Sequence, residues 1–226
     1  TLVVTTLAAI TTPPTAFQVC EDQSISITGA ASNAASYQWL FNGSPIGAPN
    51  GTAQTYTKGG SPATMPDSGT YCLVALSSNA GATTCKADTS TCVTGAVVRK
   101  IAITTQPLAK TFVCQNSAFN AGITAQNVTS YQWKKAGTNV SAGTGGTTAN
   151  YSIASTQPGD AAIYTVEMVG ISPCPNVTST NDTLQVTTLA AITTQPTAFQ
   201  VCEDQSISIT GAGSNTASYQ WLFNGT

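Results

Sequence analysis

The residues of this chain that could do chemistry are seven cysteines and a few carboxylates, since the sequence contains no histidine. Without histidine, Ser–His and Cys–His nucleophile pairs are excluded. The adjacent acidic residues Glu21 and Asp22, like Asp67 and Asp160, fall at predicted turns. A solvated or hydrogen-bonded turn explains each of them, so we predict no catalytic residue, no metal site, no cofactor and no enzyme activity.

The composition narrows the class of protein further. Charged residues make up 7% of the chain, which carries seven Lys and Arg in total, too few to form a phosphate-binding surface, so nucleic acid is not expected as a partner. No apolar run approaches the roughly 18 residues of a membrane span, so no membrane insertion is expected in this segment. Seven cysteines without histidine and without Cys-x-x-Cys pairs indicate disulfides and an oxidising, extracellular setting.

The chain repeats itself at two levels. Residues 1–44 return at 183–226 with five mismatches, a period of 182 residues. Inside that unit, related segments begin at Ile10, Ile103 and Ile192, each with a cysteine followed 19 residues later by a tryptophan. We therefore predict a segment of a longer array. Its predicted parts are the last strand of a preceding module (1–9), module one (10–102), module two (103–191) and the first half of the next module (192–226).

The local pattern predicts an all-β protein. Polar and apolar residues alternate in short stretches such as residues 24–28 and 36–41, and turn signals such as Asn42–Gly43 lie between them. No stretch shows a convincing helical period. The alternation predicts that Ile25, Ile27 and Trp39 face the core, with Trp133 in the same place in module two.

The motifs VCED, YQWLFNG and DSGTY together resemble immunoglobulin-like domains, with their strand C tryptophan and the turn of the tyrosine corner. The predicted fold class is therefore all-β, as tandem immunoglobulin-like β-sandwiches. The tandem combination of ITTQP, VC and YQW resembles the repeats of very large secreted surface proteins of Bacteroidota, including gliding and adhesion filaments. This resemblance implies a structural repeat at the cell surface.

One departure from the immunoglobulin pattern concerns the core disulfide. Its two positions would be Ile27 and Leu73 in module one, and Ala121 (or Ile123) and Val166 in module two. All are apolar, so we predict a core closed by hydrophobic packing and another use for the cysteines.

Mapping the cysteines onto this fold predicts two kinds of disulfide. Cys72 on strand F and Cys92 on strand G are expected to pair on the outer face, closing a 20-residue loop for about 3 kcal/mol in the chain-entropy model. Cys20 and Cys174 are expected to pair between modules, with partners for Cys85, Cys114 and Cys202 in neighbouring repeats. The alternative is pairing within modules, Cys20 with Cys85 and Cys114 with Cys174.

The predicted function is the shaft of a long extracellular filament or adhesin, because modules joined without a Gly/Ser-rich or Pro-rich linker should stack with limited bending. Its expected partners are neighbouring repeats, and host or environmental surfaces through other domains. The alternative is a glycan-binding array, although nearly all aromatic residues occupy repeated framework positions. Candidate glycosylation sites are Thr183, Asn42, Asn50, Asn127, Asn139, Asn150, Asn176, Asn181 and Asn224.

Overall fold

A computed structural model describes residues 6–59, 62–78 and 87–225. The described residues form β-strands and three short 3-10 turns, at Asn50–Thr52, Met65–Asp67 and Pro158–Asp160. Among them there is no helix long and apolar enough to cross a membrane. Strands β1 to β22 are, in order, Ala9–Thr12, Phe17–Cys20, Ser26–Thr28, Ala30–Ser32, Ser36–Phe41, Ser44–Pro45, Thr55–Thr57, Gly69–Leu76, Asp88–Thr89, Val93–Val98, Ala102–Thr105, Lys110–Cys114, Phe119–Gly122, Thr124–Gln126, Val128–Lys135, Thr138–Asn139, Asn150–Ile153, Ala162–Gly170, Val177–Thr178, Asp182–Thr187, Ala191–Thr194 and Ala212–Ser214.

Contacts divide the chain into two compact units. The first contains Thr1–Thr104 together with Ala125–Ser130 and Met168–Val177. The second contains Thr105–Thr124, Tyr131–Glu167 and Thr178–Thr226. Two segments of module two, the turn between β14 and β15 and the loop after β18, therefore belong to the same unit as module one.

The first sandwich is built from β1 to β10. One layer contains the pairs β1–β4 and β3–β7, and the other has the order β2-β10-β8-β5-β6, with β9 paired to β8. Strand β2 runs parallel to β10, while β8 is antiparallel to both of its neighbours, β5 and β10. Between the layers, Ile25, Trp39 and Leu73 are fully buried, and the Trp39 indole N–H donates to Ala53 O at 3.0 Å. The predicted inward-facing residues of strands B and C are thus confirmed.

The second sandwich repeats this arrangement from β11 to β20. Its larger sheet has the order β12-β20-β18-β15-β16, with β19 paired to β18, and β12 runs parallel to β20. Trp133 is fully buried, and its indole N–H donates to Thr148 O at 2.9 Å. Both predicted tyrosine corners are present: Tyr71 Oη donates to Asp67 O at 2.8 Å, and Tyr164 Oη to Asp160 O at 2.9 Å.

Hydrophobic packing replaces the core disulfide in both sandwiches, as predicted. Ile27 and Leu73 are buried in the first. In the second, Ala121, Ile123 and Val166 are buried at the corresponding positions. Apolar contact between the layers therefore does the work that a disulfide does in antibody domains.

The two sandwiches fill one part of the core in opposite ways. In the first, Phe17 on β2 faces Gly95 on β10, where an added Cβ would lie 2.3 Å from Phe17 Cζ. In the second, the equivalent pair is Thr111 and Leu184, so the bulk has moved to the other strand. Bulk absent from one strand is thus supplied by the other, which is the kind of compensation under which core substitutions are tolerated.

Residues 191–225 form only the two-stranded pair β21–β22. Their sequence is nearly that of residues 9–43, yet Trp221 is 53% exposed where Trp39 is 0% exposed. The core cluster around Trp39 includes Tyr56 of β7, Leu73 of β8 and Val97 of β10, and these strands follow β6 in the sequence. A half-module therefore cannot bury its own core residues.

Candidate functional site: the cysteines and the module junctions

Cys20 and Cys174 form a disulfide with Cα atoms 4.8 Å apart and a sequence separation of 154. Cys20 is the last residue of β2, where it pairs with Val98 of β10, and the next residue, Glu21, donates its N–H to Val98 O at 2.7 Å. Both cysteines are buried, at 3% and 7% exposure. The bond lies inside the first compact unit and joins β2 to the loop after β18.

The loop that carries Cys174 packs against the end of module one. Cys174 Sγ lies 3.5 Å from the carbonyl oxygens of Val98 and Arg99. An added Cβ at Gly170, the last residue of β18, would lie 3.4 Å from Ile101 Cγ1 and 3.5 Å from Cys174 Cβ. Ile101 is 7% exposed. The disulfide is therefore embedded in an apolar contact and is not an isolated surface link.

The second disulfide joins Cys72 to Cys92, with Cα atoms 4.4 Å apart and a sequence separation of 20. Cys72 lies on β8 between the core residues Tyr71 and Leu73, so its side chain points away from the core, although it is only 3% exposed. Cys92 is exposed. Cys92 was predicted to lie on strand G, but it lies in a break between β9 and β10.

Serine side chains explain that break. Leu73 N–H donates to Ser90 Oγ at 2.9 Å, so a hydroxyl occupies the place of a backbone acceptor and the strand bulges. In the second sandwich Val166 N–H donates to Ser179 Oγ at 3.0 Å, between β19 and β20. These serine–backbone hydrogen bonds were not predicted from the sequence. Their signal was the tripeptide Thr-Ser-Thr, which occurs at residues 89–91 and again at 178–180.

An asparagine clamp marks the start of each module, and it too was missed. Asn33, Asn127 and Asn215 each have a positive φ, between 54° and 60°. Their Nδ2 atoms donate to Leu7 O at 3.3 Å, Lys100 O at 2.8 Å and Leu189 O at 3.1 Å, respectively. Each acceptor lies three residues before the repeated Ile-Thr-Thr motif. The chain therefore enters the two sandwiches and the half-module by the same contact.

Two further cysteines are exposed and form no bond, Cys114 at the end of β12 and Cys202 in the half-module. Cys85 lies outside the described residues. Since Cys20 and Cys174 are bonded to each other, the alternative pairing within modules does not occur in this structure.

The acidic residues at the predicted turns form hydrogen bonds and ion pairs there. Asp22 adopts a φ of 69° and forms an ion pair with Lys100 at the surface. Burial alone would raise the pKa of the Asp67 carboxyl, but hydrogen bonds from Lys58 and from the backbone and hydroxyl of Thr64 lower it overall. Asp160 accepts from Gln157 N–H at 2.9 Å and pairs with Lys135. No group of three or more potential ligands that could hold a metal occurs among the described residues.

Asp182 is the most deeply buried carboxylate, at 1% exposure. It stands where the first sandwich has Val93, and it accepts a hydrogen bond from Thr111 Oγ1, with 2.9 Å to Oδ1. Burial raises the pKa of this carboxyl, and the Thr111 hydrogen bond only partly opposes that effect. Relative to the unfolded chain, folding thus shifts this carboxyl towards its protonated form.

Replacing Asp182 with asparagine is expected to stabilise the second sandwich at neutral pH. A carboxyl whose folded pKa is raised stabilises the fold while protonated, and that stability is lost as the pH rises from the unfolded value, about 4, through the folded one. Urea unfolding between pH 3 and 8 should show this loss in the native chain and not in Asp182→Asn. A variant as pH-dependent as the parent would contradict the assignment.

The candidate glycosylation sites lie in different environments. Asn42, Asn139, Asn150, Asn176, Asn181 and Asn224 are exposed, while Asn50 and Asn127 are half-buried. The Asn127 amide is already used in the clamp described above. Thr183 is half-buried on β20, between β12 and β18, and its N–H donates to Ala109 O at 3.2 Å.

Comparison with known proteins supports the fold. No family model and no curated protein matches the chain. Similar solved structures are the I67–I69 fragment of titin (16% identity, TM-score 0.56, 85% of this chain and 70% of the fragment) and immunoglobulin domains 1–5 of Sidekick-1 (16%, 0.57, 85% and 42%). Extracellular domains 3–5 of Drosophila OTK are similar too (16%, 0.56, 80% and 62%). The chain is an all-β protein of tandem immunoglobulin-like sandwiches.

Proposed function

We propose that this chain is a structural repeat unit of a long extracellular, cell-surface filament or adhesin shaft, stiffened by disulfides. The observation that carries the proposal is the Cys20–Cys174 bond, which ties a strand of module one to a loop of module two. A second feature supports it: only residues 99–101 separate β10 from β11, and Ile101 is buried. A backbone connection and a disulfide together oppose bending at the junction.

The repeated junction supports an array of such modules. We infer modules at 10–102 and 103–191, flanked by the last strand of a preceding module (1–9) and the first half of a following one (192–226). The same asparagine clamp at Asn33, Asn127 and Asn215 favours one junction geometry throughout. Neighbouring repeats are then the partners of each module, as the resemblance to Bacteroidota surface repeats also implies.

A glycan-binding array has less support. Sugar sites on sandwiches use exposed aromatic faces, and among the described residues of the two sandwiches Phe112 is the one exposed aromatic side chain. A groove of about 760 Å³ lies beside β17, lined by residues that include Asn120, Thr148 and Asn150. Its aromatic member, Tyr151, is 2% exposed, and its hydroxyl donates to Ala142 O. The groove therefore offers no stacking surface.

The shaft proposal is tested by imaging chains that contain one, two and four copies of the 182-residue unit. Negative-stain electron microscopy is expected to show straight rods whose length rises in proportion to the number of units. The double variant Cys20→Ser/Cys174→Ser is the matched control, and it should give more strongly bent particles of the same contour length. Flexible beads in the parent protein, or a specific glycan affinity lost on Phe112→Ala, would contradict the shaft.

A further inference from the structure

We propose that Cys114 is the attachment point for the next module, through a disulfide to the cysteine in that module's loop between strands F and G. This inference rests on the shaft function proposed above. It extends the single observed junction bond into a ladder, in which each module is bonded to the one that follows it.

The first argument is that Cys114 occupies the structural place of Cys20. Cys114 ends β12 and pairs with Thr187 of the parallel strand β20, as Cys20 ends β2 and pairs with Val98 of β10. After Cys114, Gln115 N–H donates to Thr187 O at 2.8 Å and Ser117 N–H to Cys114 O at 3.0 Å. After Cys20, the corresponding distances are 2.7 and 3.1 Å.

The turns that follow the two cysteines are also equivalent. Asn116 has a φ of 66° and Asp22 a φ of 69°. Asn116 N–H donates to Thr156 O at 2.8 Å, and Asp22 N–H to Ala63 O at 2.9 Å. Cys114 thus has the same backbone frame as a cysteine that is bonded in this structure. It differs in being exposed, since no loop of the described residues covers it.

The partner follows from the repeat. In the sequence, Cys85 and Cys174 each lie 22 residues before the proline of the next Gln-Pro motif. Cys174 is bonded to the cysteine of the preceding module. In the array proposed above, the module that begins at residue 192 continues as a copy of module one, and it would therefore carry a second copy of Cys85.

The chain enters the half-module by the same asparagine contact as at the bonded junction, and this favours a disulfide at the corresponding place. Asn215 Nδ2 donates to Leu189 O, as Asn127 Nδ2 donates to Lys100 O at the bonded junction. The two residues that meet at each junction are also complementary in size. Ile101 packs on Gly170 where Cys174 is bonded. At the equivalent position in module one, Ala8 is buried and its N–H donates to Ser77 Oγ at 2.9 Å.

The chemistry is an ordinary thiol oxidation. The Cys114 and partner thiols lose two protons and two electrons as the S–S bond forms. A small-molecule disulfide, such as oxidised glutathione, accepts them and becomes two thiols. The compartment implied by the two existing disulfides supplies such an oxidant.

The test uses the 226-residue chain followed by a second copy of residues 45–102, which completes the third module. The first-copy Cys85 is replaced (Cys85→Ser) so that peptides from the two copies can be told apart. After refolding with oxidised glutathione, non-reducing peptide mapping should recover Cys114 joined to the second copy of Cys85. Cys114 should also lose its reactivity towards iodoacetamide, which it retains in the 226-residue chain.

Two results would overturn the ladder. One is a bond between Cys202 and the second copy of Cys85; the other is a reactive Cys114 although the second copy of the Cys72–Cys92 bond has formed. If the added module does not fold, the same peptide mapping is done on the native full-length protein. Recovery of reduced Cys114 from that protein would also contradict the ladder. Straight rods in which Cys114 is reduced would contradict the ladder of disulfides but would still support the shaft function.

Discussion

Pulled from its two ends under oxidising conditions, the chain is expected to extend far less than its length allows. The Cys20–Cys174 bond, with its sequence separation of 154, takes the residues between the two cysteines out of the load path. At 3.3–3.6 Å per extended residue, this segment hides roughly 50 nm of contour length. Force therefore passes through the disulfide and not through the unfolding of the residues between its ends.

Single-molecule force spectroscopy measures this directly, and the second disulfide is its internal control. Cys72 and Cys92 lie within the bypassed segment, so removing only their bond should leave the oxidised contour length unchanged. The double variant Cys20→Ser/Cys174→Ser should release the roughly 50 nm except for the short loop that Cys72–Cys92 still closes. Equal contour lengths for that variant and the oxidised parent would show that the bond does not carry load.

The second large effect is expected from one substitution made at two copies of the same sequence. Trp39→Ala should destabilise the first sandwich by about 3–5 kcal/mol, the range for removing a fully buried aromatic side chain. Trp39 is 0% exposed, and its indole N–H bonds to Ala53 O. Trp221→Ala should have almost no effect on the 226-residue chain, because Trp221 is 53% exposed.

Hydrogen exchange of the β3 and β5 amides reports the first sandwich alone, which avoids treating a multidomain chain as two-state. Completing the third module gives the reciprocal control. In the extended chain Trp221→Ala should become as destabilising as Trp39→Ala. If the two substitutions cost the same in the 226-residue chain, burial does not explain the effect.

The alternation of side chains and the turn motifs are local features: the alternation predicted an all-β protein, and the motifs carried the resemblance that implied immunoglobulin-like sandwiches. A period of two places Ile25 and Ile27 on one face of an extended segment whatever lies opposite, so their burial follows once a core forms. The tyrosine corner is equally local, since Tyr71 bonds to a carbonyl only four residues away. The replacement of the core disulfide by apolar residues could be predicted for the same reason, because those positions are identified by the local motifs.

The features that distinguish this protein depend on residues far apart in the chain. The asparagine clamp spans 26 residues from Asn33 to Leu7, and the Ser90 bulge depends on the pairing of two strands. The exchange of bulk between Phe17–Gly95 and Thr111–Leu184 appears only when the parallel register of the two strands is known. No local pattern encodes a register between such distant strands.

The same distinction between local and long-range features applies to the disulfides. Their number, their spacing and the absence of histidine indicated disulfides from the sequence alone, but two pairings remained compatible with it. A disulfide needs Cα atoms within about 7 Å, and which pair meets that condition depends on how the loop after β18 packs on Val98 and Ile101. Burial, register and long-range contact are properties of the folded chain, so only the tertiary structure could bring Cys20 to Cys174.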